Sequence, residues 1–278
     1  MSTRNYDEFG TRMKLYESVS DIKLMSRCPV IIRLDGHRFS KLTKKLPKPS
    51  YDFLNFMANA MLLTIPQIDG CVFGYTQSDE FTFVLKNDQS YDSLPWFGNR
   101  VQKMASLSAS ILTQVVTSEY YKLSTDHPLR VIWDKITPKF HFDSRVYVVP
   151  DEMEMYNALY WRQLDCIKNA ISMVAEYRLR EKLGKKTALN LLHGKGRAAR
   201  LELLKSECNI DFFKGYPVSF QRGTAAYKEE YEMELGDPKN PTKIFTTRTR
   251  FILDKNIPNF HDDNSLIMNA YNPELKGL

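Results

Sequence analysis

The stretch G-Y-T-Q-S-D-E-F-T-F-V-L, Gly74 to Leu85, sets two adjacent carboxylates, Asp79 and Glu80, between two apolar runs. Phe81, Phe83 and Leu85 alternate with Thr82 and Val84, the period of a strand, and Cys71 to Tyr75 reads as a second strand just before it. The pair therefore forms a hairpin whose turn carries the two charges. An acidic hairpin tip is ordinarily solvated and without chemistry. A metal site is the sharper alternative, and the flanking elements weigh between them.

Upstream, Val30-Ile31-Ile32-Arg33-Leu34 reads as a mostly buried strand, preceded by Pro29 and ended by Asp35-Gly36. Phe53, Phe56, Met57, Ala60 and Leu63 recur at helical spacing and predict an amphipathic helix over roughly 51–65. Downstream, Phe97 to about Val116 has helical character, and Ser144 to Val149 is a fourth strand closed by Pro150. Strand, helix, strand, strand, helix, strand is the order of a ferredoxin-like (split βαβ) domain, so the fold class is α+β. In that arrangement the third strand runs antiparallel between the first and second. The end of the Asp35 strand then meets the start of the Glu80 strand, and Asp35, Asp79 and Glu80 share one sheet edge.

Beyond Pro150 the character changes. Residues from about 152 to 205 look largely helical, and nine Lys or Arg residues between Arg178 and Lys205 face only Glu181 and Glu202 within that span. The final part, rich in Gly and Pro, predicts loops with short strands near 218–227 and 243–253, and a poorly packed last fifteen or so residues. The division expected is 1–150 and 151–278.

The chain has 278 residues with 43% hydrophobic and 26% charged side chains, ample for a core. No apolar run is long enough to span a bilayer and the N-terminus lacks the core of a signal peptide, so cytoplasmic residence without membrane attachment is expected. Cys28, Cys71, Cys166 and Cys208 form no C-x-x-C pair and the five histidines are dispersed. Zinc and a disulfide framework are therefore disfavoured, and any metal should be bound by oxygen, which favours Mg²⁺. A net charge of +6 is compatible with a polyanionic partner without demanding one.

Asp35 and Asp79 on neighbouring strands suit a pair of hard cations about 4 Å apart, the device that clamps attacking and leaving oxygens in phosphoryl transfer. Gly36 admits close backbone approach because no Cβ intrudes. D-G and S-D-E are each common turn sequences; it is their joint placement on a split βαβ pattern that favours the metal. Lys48 follows in a K-P-S loop. Arg100 and Lys103, spaced i, i+3, would be read as a solvated helix face but beside carboxylates can clamp a triphosphate. His37 is a loop histidine near the same end. The basic run, with T-R-T-R from Thr247 to Arg250, is either a charged surface or a grip on phosphate backbones.

R-L-D-G-H-R-F (Arg33 to Phe39), K-P (Lys48-Pro49), Y-T-Q-S-D-E-F (Tyr75 to Phe81), F-D-S-R-V (Phe142 to Val146) and W-R-Q-x-D-C (Trp161 to Cys166) resemble the tRNA-His guanylyltransferase family. So do the region from Leu192 to Ile210, F-x-x-G-T (Phe220 to Thr224), T-R-T-R, and F-G-T-R-M-K-x-Y-E (Phe9 to Glu17), all in family order. The resemblance implies a 3′–5′ nucleotidyltransferase with a polymerase palm over 1–150, and an RNA-binding and oligomerisation region over 151–278. It implies two Mg²⁺ ions on Asp35, the Gly36 carbonyl and Asp79, with Glu80 in support. Nucleotide contacts would fall to Gly36, His37, Arg38, Phe39, Lys48, Ser78, Arg100 and Lys103. Asn169, Lys195, Arg197, Arg200, Arg248 and Arg250 would meet tRNA. ATP and GTP are the implied substrates, and a homotetramer, a dimer of dimers, the implied assembly. ATP adenylylates a 5′-monophosphate, and the 3′-hydroxyl of GTP then displaces AMP.

One departure refines this. The eukaryotic branch carries H-I-N-N-L-Y-N after D-C, whereas this chain has Ile167-Lys168-Asn169-Ala170-Ile171-Ser172-Met173. That run resembles the guanylyltransferase-like branch associated with templated repair of tRNA 5′ ends, which becomes the expected activity. Addition of the extra guanosine to tRNA-His is the alternative. A palm-fold nucleotide cyclase, which would not need the basic half, and a non-catalytic RNA-binding module are the more distant rivals.

Overall fold

The computed structural model describes residues 3–88, 92, 94–237 and 240–275. It contains a six-stranded sheet in the order β4-β1-β3-β2-β5-β6. After helix α1 (Thr3–Ser18) comes β1 (Val30–Gly36), then α2 (Phe39–Thr43) and α3 (Tyr51–Thr64). Strands β2 (Cys71–Gln77) and β3 (Glu80–Leu85) form the hairpin, followed by α4 (Val101–Lys122), α5 (Pro128–Trp133) and β4 (Phe142–Val148). The order β4-β1-β3-β2, with β3 antiparallel to both β1 and β2, is the expected split βαβ arrangement.

Alternation along the strands sends two sets of side chains to opposite faces. Val30, Ile32 and Leu34 of β1 join Phe81, Phe83 and Leu85 of β3 in a core covered by Phe53, Phe56, Met57 and Met61 of α3 and Met104 and Leu112 of α4. Ser50 caps α3 by accepting a hydrogen bond from the Phe53 amide at 3.4 Å, which fixes where the helix leaves the loop. On the other face Phe73, Tyr75 and Val84 pack against Met155 and Leu159.

These last two residues belong to α6 (Glu152–Leu183), a helix of 32 residues. Asp151 caps its start through a 2.8 Å bond from the Glu154 amide, and Gly184 ends it at φ +79°, a left-handed conformation costly for any residue with a Cβ. The N-terminal half of α6 lies on the sheet. Its C-terminal half packs Ile171, Val174 and Leu179 with α7 (Lys185–Leu192), α8 (Arg197–Cys208), α9 (Phe212–Gly215) and α10 (Val218–Arg222). The predicted helical stretch is thus present as α6 to α8.

The C-terminal part differs from expectation. Residues 218–222 are helical, and β5 (Thr224–Asp237) and β6 (Asn240–Asp254) are long strands that extend the sheet beyond β2. Nor is the described part of the tail poorly packed, since Ile267 and Tyr271 of α11 (Ser265–Tyr271) are buried against the α6 face of the sheet; 276–278 lie outside the described residues. The Gln163 side chain ties this segment to α6, donating to the Pro258 carbonyl at 3.0 Å and accepting from the Phe260 amide at 2.7 Å. Among the described residues no helix is long and apolar enough to cross a membrane.

Candidate active site

Asp35 and Glu80 are register partners on β1 and β3, so their side chains share the α6 face of the sheet. Asp79 sits in the turn between Gln77 and Glu80, preceded by Ser78 in the left-handed region at φ 51°. The Ser78 hydroxyl donates to Asp79 Oδ1 at 3.0 Å, and the Gly36 amide donates to the Asp79 carbonyl at 3.1 Å. The end of β1 is thereby laced to the hairpin turn. A Cβ at residue 36 would lie 2.9 Å from the Asp79 Cβ and 2.4 Å from the Phe39 ring, so glycine is required for this approach.

A cavity of about 290 Å³ opens over these groups. It is lined by Asp35, Ser78, Asp79 and Glu80 from the sheet, Lys48 from the loop, and Asp165, Cys166 and Asn169 from α6. Lys48 donates to the Thr43 carbonyl at 2.9 Å, and burial lowers its ammonium pKa while the Asp79 charge partly restores it. Burial, above all, raises the Asp79 carboxyl pKa, and the charges of Asp35 and Glu80 add to the rise. Burial also pushes the Cys166 thiol up to about 12, which favours the protonated thiol at neutral pH.

Glu80 is held differently. Arg33 donates to its Oε2 at 2.7 Å, and Arg162 donates to Oε1 and Oε2 at 3.1 and 3.0 Å. Its negative charge is therefore balanced inside the protein, whereas no cationic side chain among the described residues bonds Asp35 or Asp79. Two carboxylates without an ion-pair partner in a shielded cavity suit a hard divalent cation such as Mg²⁺, which prefers their oxygens to the Cys166 sulfur. Asp35, Asp79 and the main chain at Gly36 would hold it, with Glu80 as an anchor beneath.

Other expected residues lie elsewhere. His37 and Arg38 line a separate hollow of about 680 Å³ with Lys41, Lys139 and His141, and the Phe39 side chain is buried against Phe142. Arg100 forms an ion pair with Asp21 at 2.6 Å, and Lys103 lies on the same exposed helix start, so neither lines the Asp35–Asp79 cavity. Of the basic run, Arg178 pairs with Glu181 and Arg180 with Glu176. Arg200 folds back onto the carbonyls of Lys195 and Leu192. Lys195 and Arg197 are exposed and form no ion pair among the described residues. On β6, Arg250 pairs with Glu229 at 3.1 Å, whereas Arg248 is exposed and has no ion pair among the described residues. Sequence reading missed Arg162 and Asp165, which only the packing of α6 across the sheet brings to the site.

The family model for tRNAHis guanylyltransferase matches residues 10–150, which hold both carboxylates and the cavity floor. The chain belongs to the tRNA(His) guanylyltransferase family. It is a nucleotidyltransferase by that membership. The Homo sapiens "Probable tRNA(His) guanylyltransferase" is 28% identical over 267 residues, covering 90% of this chain and 85% of the human one. A bacterial tRNA(His) guanylyltransferase (Thg1)-like protein solved in complex with ATP superposes with a TM-score of 0.74 at 30% identity, over 95% of this chain and 98% of that one. The complex of such a bacterial protein with GTP gives 0.68 at 28% identity, over 95% and 99%. This tRNA(His) guanylyltransferase-family chain shares its fold with both bacterial proteins over 95% of its length.

Proposed function

We propose that the protein adds nucleotides in the 3′–5′ direction to the 5′ end of tRNA, guided by the opposing strand, and so repairs truncated 5′ ends. The observation that carries this reading is the unbalanced Asp35–Asp79 pair inside a cavity shared with Lys48 and Asn169. In the first step the tRNA 5′-phosphate attacks the α-phosphorus of ATP and pyrophosphate leaves. In the second the 3′-hydroxyl of an incoming nucleoside triphosphate attacks the activated 5′-phosphorus, and AMP leaves. A 5′-triphosphate end enters directly at the second step and releases pyrophosphate. Two Mg²⁺ ions, when bound, would polarise the phosphoryl oxygens and lower the pKa of the attacking hydroxyl. Lys48 contributes a positive charge toward the phosphates, and Glu80, fixed by Arg33 and Arg162, keeps the start of β3 in place.

Repair is favoured by the α6 segment after Cys166. Asn169 and Ala170 both line the cavity, and Ala170 and Ile167, which pack in the helical core, offer it no polar side chain. The likeness to bacterial tRNA(His) guanylyltransferase-like proteins over 95% of the chain supports the same choice. The name of the human relative favours the alternative, a single guanosine added to tRNA-His. A homotetramer, a dimer of dimers, completes the reading; exposed Phe9, Leu15 and Tyr16 on α1 supply apolar surface for such contacts. Lys195, Arg197 and Arg248 would grip tRNA phosphates.

The test supplies each labelled nucleoside triphosphate separately with a series of 5′-truncated tRNAs, with Mg²⁺ and with chelator. Incorporation that follows the opposing base and stops with chelator is expected. Guanosine added to tRNA-His alone would establish the alternative.

A further inference from the structure

Trp161 is out of place for a tryptophan that serves packing. It is 53% exposed, whereas Trp96 and Trp133 are 6% and 0% exposed. Its position is nevertheless fixed. The Arg162 guanidinium lies 3.7 Å from the ring centroid and that of Arg33 lies 5.6 Å away. Both guanidinium groups are bonded to Glu80, so a buried ion network backs one side of an aromatic ring that is otherwise open. Rigid aromatic surface of this kind costs little entropy to use in binding.

Its neighbours narrow the ligand. Arg33 precedes Asp35 by two residues on β1 and points to the same face, which sets the two about 7 Å apart along the strand. Arg145, the register partner of Arg33 on β4, presents a side chain 58% exposed and only loosely paired with Asp143 at 3.6 Å. An open aromatic ring with an available guanidinium one strand further along the same sheet face is the kind of surface on which single-stranded nucleic acid binds, the base stacking and the phosphate meeting the cation.

The geometry points to Trp161 as a stacking platform for a nucleobase at the RNA end being extended, with Arg145 meeting the adjoining phosphate. This rests on the proposed action on tRNA. The base is the RNA's rather than the incoming nucleotide's, because the cavity over Asp79 draws its α6 lining from Asp165 onward and leaves Trp161 outside. Stacking there would hold the 5′-terminal nucleotide while its phosphate reaches the carboxylates.

Trp161 is the only exposed tryptophan of the three, so its fluorescence tests the assignment directly. The full chain is titrated, in chelator and without nucleotide, with an acceptor-stem duplex lacking its first 5′ residue, and separately with GTP. Saturable quenching by RNA but not by GTP is expected, and its disappearance in Trp161→Phe. RNA affinity by mobility shift should be kept by Trp161→Phe and fall roughly tenfold in Trp161→Leu. Arg145→Gln should lower the salt dependence of binding by about one counterion. Equal quenching by GTP would overturn the assignment, as would unchanged RNA affinity in Trp161→Leu. A change in oligomeric mass in that variant would instead place the ring in a contact between copies and overturn it too. RNA quenching by a protein that adds no nucleotide would leave the platform standing and defeat the proposed reaction.

Discussion

Asp35 and Glu80 face each other across β1 and β3, yet only Glu80 has its oxygens occupied, by Arg33 at 2.7 Å and by Arg162 at 3.0 and 3.1 Å. The two carboxylates therefore do different work. Glu80 lines the same cavity as Asp35 and Asp79 but is ion-paired to Arg33 and Arg162, whereas Asp35 has no such partner among the described residues. This separation yields several measurable consequences.

Asp35→Asn and Asp79→Asn should each lower nucleotide addition by roughly a thousandfold, about 4 kcal/mol of transition-state stabilisation. Binding of tRNA should persist in both, since neither belongs to the basic surface. Single-turnover extension with parallel mobility shifts would check this. Extension at the normal rate by either variant would remove the carboxylate pair from the chemistry.

The raised Asp79 pKa gives a pH signature in metal-free protein. A carboxyl whose folded pKa is raised favours folding in its protonated form. That contribution is fully present below the unfolded value of 3.8 and is lost as pH rises through the folded value. Chelated wild type should thus be less stable than Asp79→Asn at neutral pH, with the gap closing on acidification below about pH 4. Thermal melts of both proteins across pH would show the convergence; parallel curves would contradict the burial assigned to Asp79.

Arg162→Leu leaves Glu80 buried with one partner and should destabilise the protein by about 3 kcal/mol. Combining it with Glu80→Gln should cost less than the two changes added, because the second removes the charge that the first strands. Denaturant unfolding of the four proteins in this cycle gives the coupling, and simple additivity would mean the network carries little.

Gly36→Ala puts a Cβ 2.4 Å from the Phe39 ring and 2.9 Å from the Asp79 Cβ, so the hairpin turn must move. A stability loss of about 1–3 kcal/mol is expected. The larger effect should be on function, with Mn²⁺ affinity reduced at least tenfold, readable by paramagnetic resonance. Wild-type affinity would show that the close approach at Gly36 is structural alone.

The first four strands and the two long helices between them were legible because each has one dominant period and one buried face. The hairpin turn was legible for a related reason, since charges at 79 and 80 interrupt an otherwise apolar pattern. Strands β5 and β6 were underestimated because Tyr227 to Glu234 carries four Glu and one Lys among its residues, a composition unlike a buried strand. Those residues extend past β2 as a two-stranded ribbon. Arg162 lies in the W-R-Q-x-D-C motif but drew no role from it, because one arginine in a helix usually faces water and only the crossing of α6 over the sheet reveals its partner Glu80. The basic run looked lopsided because Glu176 and Glu207, which pair with Arg180 and Lys182, lie outside the span that was counted.

Helix α6 is a single rod of 32 residues, about 48 Å from end to end. Met155 and Leu159 seat one end on the sheet, Arg162 grips the β2–β3 hairpin through Glu80, and Leu179 anchors the other end among α7 and α8. A continuous helix resists bending, so a load applied at the far end is delivered at the near one. Docking of a polynucleotide on the basic helices would accordingly act on the carboxylates by leverage. In the proposed reaction, placement of the tRNA and the geometry at Asp35 and Asp79 would be mechanically coupled through α6.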